Sequence, residues 1–183
     1  MTRFLKWLET PATSAKEIFS LAVKTLLLSV LWGTLMALIT WLLVVPNYPV
    51  GSATLERNMD QFLSNFTEEF FFRTLWLALA VMVIGRNRVM GLALILTFTG
   101  SLVWGYDHRF QFMKITTPNM AATIALCWIG GMGALFNILA IKCATNDDLL
   151  QLKPLGIFTI VHFGYNLMIV PIVKVIVLLS GVS

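Results

Sequence analysis

Residues 66–85 read FTEEFFFRTLWLALAVMVIG, an apolar segment that carries three charged side chains, Glu68, Glu69 and Arg73. A helix needs about 20 predominantly apolar residues to cross a bilayer, which is the length of this segment. Each ionisable group in such a helix costs a few kcal/mol unless it is paired or hydrated. The segment therefore predicts a membrane helix in which the charged groups have partners or a function.

The composition of the whole chain indicates the same environment. Of 183 residues, 58% are hydrophobic and only 12% are charged, whereas about 25% are charged in an average soluble domain. The net charge is +4, but the basic residues lie between hydrophobic segments, so they indicate membrane topology rather than a nucleic-acid partner. We expect the lipid bilayer to surround this protein and no nucleic acid to bind it.

The hydrophobic pattern predicts an all-α fold, a polytopic transmembrane helix bundle that forms a single membrane domain over residues 1–183. A short interfacial helix precedes the first span, and an amphipathic stretch from Ala53 to Ser64 leads into the second. The first span and its connection occupy 18–52, and the remaining helix bundle occupies 53–179. The five predicted spans are about 18–45, 66–85, 89–106, 120–141 and 155–179.

Lysine and arginine residues are unevenly divided between the two ends of the predicted bundle. Eight lie in the N-terminal segment, the turn at 86–88 and the loop at 142–153, and three lie in the opposite connections. The positive-inside rule then predicts a cytoplasmic N-terminus and an exoplasmic C-terminus. The first predicted span ends at Pro46-Asn47-Tyr48-Pro49, where two prolines would stop a helix.

The two adjacent carboxylates are expected to differ in their partners. Glu69 and Arg73 are four residues apart on one helical face, in the order that favours an ion pair. Glu68 lies roughly 100° around the helix and has no predicted local partner, so it could serve as a general base. Alternatively, both glutamates lie at the membrane interface and stabilise a helix N-terminus through its dipole.

The chain has two histidines, His108 and His162, on apolar helices or at their ends. His162 and Asn166 are four residues apart on one face, so both side chains could donate hydrogen bonds to the same oxygen. Two aligned donors are what the oxyanion of a tetrahedral intermediate requires. A histidine that only packs and forms a hydrogen bond within the bundle is the simpler alternative.

Three short patterns then resemble one known family. Glu68–Arg73 fits EExxxR, Ser101–His108 is similar to SxxFxxxH, and His162–Asn166 fits HxxxN. In that order on separate helices they resemble the CPBP family, the CAAX-processing and bacteriocin-processing glutamic intramembrane proteases. The resemblance covers about 66–169, and the first span has no recognisable motif.

The chain departs from that family pattern at three positions. Trp104 stands where the second motif usually has Phe, and Thr74 replaces the Gly that commonly follows the motif arginine. Asp107 precedes His108 where a small apolar residue is more usual. Asp107 could alter the basicity of His108 or simply face water.

The resemblance implies a role for each matched residue. Glu68 would activate a water molecule with help from His108. His162 and Asn166 would hold the developing oxyanion. The implied supporting residues are Glu69 and Arg73. We expect no cofactor, although Glu with two His is also a ligand set of catalytic zinc, so a zinc site remains open and is not favoured.

The leading hypothesis is an intramembrane endopeptidase, a hydrolase acting on a membrane-associated protein or peptide. The charge count places Glu68 and His108 in the exoplasmic half of a prokaryotic cytoplasmic membrane. That location would suit removal of a C-terminal sorting segment from exported proteins, as in myxosortase-like members of the family. The alternatives are a non-catalytic CPBP-like immunity or scaffold protein, and a transporter or channel with Glu68 and His108 as a proton relay.

The predicted spans also contain a geometric difficulty. His162 lies only about seven residues into its span, roughly 11 Å from the cytoplasmic end. Glu68 and His108 lie near the opposite end of theirs. A shared site requires either a last helix that starts outside the bilayer or a deep hydrated cavity.

Overall fold

The computed structural model describes residues 3–44, 55–113, 115–145, 147 and 152–179. Within these ranges every regular element is helical, which confirms the all-α class. The six helices are α1 (Arg3–Glu9), α2 (Ala15–Val44), α3 (55–84), α4 (Val89–Phe112), α5 (Pro118–Cys143) and α6 (Leu152–Leu179).

Within the described ranges, four helices are long and apolar enough to cross a membrane: α2, α4, α5 and the Pro154–Leu179 part of α6. This finding agrees with a multi-pass membrane protein. Helix α3, which carries Glu68, Glu69 and Arg73, is not among the four. The predicted total of five spans therefore stays a prediction that depends on α3.

Three of the helices contain a π-helical turn in their interior. These turns are Phe70–Thr74 in α3, Thr97–Val103 in α4 and Leu126–Gly130 in α5. A π-helical turn interrupts the regular i→i+4 bonding of an α-helix and is frequently found at functional sites. Here two of the turns lie next to residues of the sequence motifs, since one directly follows Glu69 and another directly precedes Trp104.

Helices α4 and α5 approach each other at backbone distance. A Cβ on Gly133 would lie 2.9 Å from the carbonyl oxygen of Gly100, and one on Gly105 would lie 2.9 Å from the amide nitrogen of Gly130. Such distances leave no space for a side chain, so these glycines allow α4 and α5 to pack in direct backbone contact. The close approach carries Trp104 into the interior, where 1% of it is exposed.

Several helix ends differ from the sequence expectations. The predicted amphipathic stretch and second span form one continuous helix, because no Pro or Gly interrupts 55–84. Gly85, with φ of 79°, follows its last residue. Helix α4 was expected to end near Tyr106, but it continues to Phe112 through an irregular turn at His108. Helix α6 begins at Leu152, because Pro154 is tolerated in its first turn.

Some predictions fall on parts of the chain outside the described residues. These are the helix stop at 46–49, most of the connection at 146–151, and three of the basic residues counted for topology: Lys114 and the side chains of Arg57 and Lys153.

The basic segments meet at one end of the bundle. Arg86 Nη2 donates to the Leu8 carbonyl at 3.0 Å, and Arg86 Nε donates to the Ala144 carbonyl at 3.1 Å. Lys142 Nζ donates to the Trp7 carbonyl at 2.9 Å and to the Thr10 carbonyl. Burial lowers the pKa of the Arg86 guanidinium. These contacts join α1, the turn after α3 and the end of α5, as the predicted division of basic residues requires.

Candidate active site

A buried ion pair on α3 lies at the centre of the site. Glu69 Oε1 is 2.6 Å from Arg73 Nη1, and both side chains are fully buried. The guanidinium lies over the ring of Trp104, 4.4 Å from its centroid, and over Phe136 at 5.1 Å. The ion pair expected from the four-residue spacing is therefore present. Burying either charge alone would be strongly unfavourable, so each group depends on the other.

His162 on α6 completes this buried group. Its Nδ1 lies 2.9 Å from Glu69 Oε1, and its ring packs edge-on against Trp104 with centroids 5.4 Å apart. A carboxylate can only accept a hydrogen bond, so His162 Nδ1 carries the proton in this contact. Glu69 thus fixes the orientation of the imidazole and leaves Nε2 for other contacts.

Glu68 lies beside this buried group and is 24% exposed at its side chain. Its Oε2 accepts a 2.8 Å hydrogen bond from Trp104 Nε1, and its Oε1 accepts one of 3.3 Å from Ser64 Oγ. The expectation that Glu68 lacks a local partner is therefore wrong. Ser64 lies one helical turn before Glu68, where a hydroxyl can reach the carboxylate.

His108 faces the same carboxylate. Its Nδ1 lies 2.8 Å from the Trp104 carbonyl, which can only accept, so Nδ1 is the protonated nitrogen of the neutral ring. In that neutral form Nε2 is an acceptor, and it lies 3.8 Å from Glu68 Oε2. That distance is too long for a direct hydrogen bond. Two acceptors at this separation can share one bridging water.

Asn166 has a partner that sequence reasoning missed. Its Nδ2 donates to Asn65 Oδ1 at 3.1 Å, and Asn65 is 2% exposed. Asn65 lies four residues before Glu69 on α3, just as Asn166 lies four residues after His162 on α6. The two helices therefore form a two-step ladder, Glu69 with His162 and Asn65 with Asn166. The spacing between Asn65 and Glu69 was the available signal.

Trp104 is the second residue whose importance the sequence did not reveal. Its indole binds Glu68, its carbonyl binds His108, and its ring contacts both Arg73 and His162. The only signal was the replacement of the usual motif Phe by Trp. A phenylalanine has no N–H and could not make the contact with Glu68.

The structure thus brings the six predicted site residues into one region. The difficulty over the depth of His162 does not arise, because His162 contacts Glu69 directly. Asp107 is exposed, which favours the alternative that it faces water.

No group of three or more His, Cys, Asp and Glu side chains in the described part of the chain is arranged to hold a metal ion. Cys143 is buried and Cys127 is exposed, and the two are not joined in a disulfide.

Comparisons with protein-family models, with curated proteins and with solved structures find no match to this chain.

Proposed function

We propose that this protein is an intramembrane endopeptidase that hydrolyses a peptide bond of a membrane-associated substrate. One observation carries the proposal: Glu68 Oε2 and His108 Nε2 face each other at 3.8 Å beside the buried contact between His162 and Glu69. Both facing side chains are partly exposed at the surface of the bundle, and we place the attacking water between them. The resemblance to the CPBP family supports the same assignment.

The first step uses the water between the two acceptors. A water that donates one hydrogen to Glu68 and the other to His108 presents its oxygen lone pair to the substrate carbonyl carbon. As the oxygen attacks, Glu68 takes the proton and a C–O bond forms. The hydrogen bond from Trp104 holds the carboxylate in place during this transfer.

The developing oxyanion would be held by His162 and Asn166. His162 already donates Nδ1–H to Glu69, so a second donation, from Nε2 to the oxyanion, requires the doubly protonated ring. Asn166 uses one N–H on Asn65 and has a second N–H for the substrate oxygen. Collapse of the intermediate breaks the C–N bond, and the proton held by Glu68 passes to the leaving amine.

The location of the substrate follows from the charge distribution. With the basic end of the bundle in the cytoplasm, the site lies toward the exoplasmic half of a prokaryotic cytoplasmic membrane. We propose five spans, with the second half of α3 as the additional one. Exported proteins with a C-terminal sorting segment fit this location best.

The test is a comparison of protein termini in membrane and secreted fractions from cells that carry wild type or Glu68→Gln. The glutamine keeps the shape of the side chain but cannot take the proton. We expect at least one C-terminus or N-terminus to be lost in Glu68→Gln and retained in Glu17→Gln, a control with the same change at an exposed position. Identical termini in all three strains would contradict the proposal.

Two further experiments test the alternatives of a non-catalytic protein and of a zinc-dependent mechanism. If the protein is a non-catalytic immunity or scaffold protein, the Glu68→Gln variant should complement a null strain as well as wild type does. A zinc-dependent mechanism would show as loss of cleavage on dialysis against a chelator, with recovery after zinc is added. The metal-free mechanism proposed here predicts no loss.

A further inference from the structure

At the basic end of the bundle, α1, α2 and α5 enclose an open groove of about 730 Å³. One wall is formed by Phe4 and Trp7, whose rings stack with centroids 5.8 Å apart. Both rings remain exposed, at 53% and 40%, although they belong to a helix that is otherwise fixed to the bundle. Residues that line the apolar floor are Leu21, Leu28, Leu135 and Ile138.

The aromatic wall is held rigidly by the buried side of α1. Lys142 Nζ donates to the Trp7 carbonyl and lies 4.6 Å from the centroid of the Trp7 ring. The Ala12 amide donates to the Lys142 carbonyl at 2.7 Å, and Leu8 is 4% exposed. The groove is therefore formed before any ligand binds, so little ordering cost opposes binding.

The rim of the groove is positively charged. Lys16 and Lys24 both line it, and they lie eight residues apart, on one face of α2 and roughly 12 Å apart along its axis. Both side chains are exposed, and neither is in an ion pair within the described part of the chain. One acidic residue, Glu17, lines the same groove. The lining therefore has an excess of one positive charge beside an apolar floor.

We propose that this groove binds one anionic phospholipid of the surrounding leaflet. The phosphate lies at the ammonium groups of Lys16 and Lys24, where each cation near the membrane surface strengthens binding of anionic lipid. The glycerol region packs against Phe4 and Trp7, since amphipathic aromatic rings prefer the headgroup level. An acyl chain follows the apolar floor between α2 and α5, two of the helices that can span the membrane. This inference is independent of the proposed protease activity.

In the experiment, the full chain is purified in detergent and titrated with phosphatidylglycerol. Native mass spectrometry then measures how much lipid the protein retains. Lys16→Gln with Lys24→Gln is expected to weaken binding about 10- to 30-fold. The matched control is Arg3→Gln with Lys6→Gln, which removes two charges from the same end of the protein outside the groove. The control should change binding less than about twofold.

A second variant tests the floor without changing any charge. Leu135→Trp fills the groove and is expected to displace phosphatidylglycerol, while its thermal unfolding shows that the bundle still folds. Equal weakening by the control pair would show a diffuse charge effect and overturn the proposal. Equal binding of phosphatidylcholine would overturn it too, as would competition by glycerol phosphate at the same concentration as the lipid.

Discussion

The indole N–H of Trp104 donates a 2.8 Å hydrogen bond to Glu68, the carboxylate that we propose as the general base. The backbone carbonyl of the same tryptophan accepts a hydrogen bond from His108 at an equal distance. One residue thus contacts both groups that we propose to hold the attacking water. Trp104 belongs to α4 and lies where the backbones of α4 and α5 approach each other closely.

Replacing Trp104 with Phe should lower the cleavage rate while the bundle stays folded. Phenylalanine keeps an aromatic ring near Arg73 and His162 but removes the hydrogen bond to a charged group, which contributes about 1.5–3 kcal/mol. We expect kcat on the substrate identified from its altered terminus to fall roughly 10- to 100-fold, with little change in KM. The measurement is a detergent-phase cleavage assay with purified protein.

Trp128→Phe is the matched control for that experiment. Trp128 also donates an indole hydrogen bond, at 2.8 Å to the Tyr165 hydroxyl, but it contacts none of the proposed site residues through that bond. Its variant should keep the wild-type kcat. A similar loss of rate in both variants would mean that the indole bonds act on packing alone.

The difference between these contacts and those predicted from the sequence has a physical origin. Glu69 and Arg73 lie on one helix, where a four-residue spacing brings side chains together whatever the rest of the fold. The contacts of Glu68 with Trp104 and of Asn166 with Asn65 join different helices. They depend on how the helices cross, which the π-helical turns and close glycine contacts determine. No short pattern reveals that crossing.

Helix class and approximate positions could be predicted because apolar length is a property of local sequence. The merging of the amphipathic stretch with the second span could not be predicted in the same way. The predicted boundary at Phe66 marks the place where the sequence becomes apolar, and no helix-breaking residue lies there. The charged residues of α3 explain the disagreement over span number. They lie in the middle of a 30-residue helix, between its amphipathic half and its apolar half.

Substitution by glutamine should have different effects at the two adjacent glutamates: at Glu69 it should lower the stability, and at Glu68 it should abolish cleavage. Glu69→Gln leaves Arg73 and His162 buried without their carboxylate, and removing one partner of a buried pair costs about 3–5 kcal/mol. We expect a clear fall in the unfolding temperature of Glu69→Gln. Glu68→Gln, at a partly exposed position, should unfold at the wild-type temperature yet fail to cleave.

Thermal unfolding in detergent, followed by intrinsic tryptophan fluorescence, measures the first effect, and the cleavage assay measures the second. If Glu68→Gln were the less stable of the two, the assignment of structural and catalytic roles would have to be reversed.

Asn65→Ala tests the second step of the ladder between α3 and α6. Without Asn65 Oδ1, the amide of Asn166 loses the acceptor that orients it, while the site residues themselves are unchanged. We expect kcat to fall about tenfold with KM unaltered. Asn166→Ala removes the proposed oxyanion donor directly and should lower kcat about 10²- to 10³-fold.

Asn119→Ala, at an exposed position near the start of α5, provides the control and should retain full activity. An Asn65→Ala protein that cleaves at the wild-type rate would show that Asn166 needs no positioning partner.

The N-terminal helix α1 should detach from the bundle when Lys142, a buried lysine of α5, is replaced. Lys142 is 1% exposed and donates to two carbonyls at the end of α1, at Trp7 and Thr10. Lys142→Met keeps a flexible side chain of similar length but leaves both carbonyls without this donor, which weakens the attachment of α1 to α5. Limited trypsin digestion should then cut at Lys6 well before the bundle is degraded. In wild type, Lys142, the Ala12 amide and Arg86 together hold this segment, so trypsin should cut at Lys6 slowly. Equal cutting rates in wild type and Lys142→Met would show that Lys142 does not anchor α1.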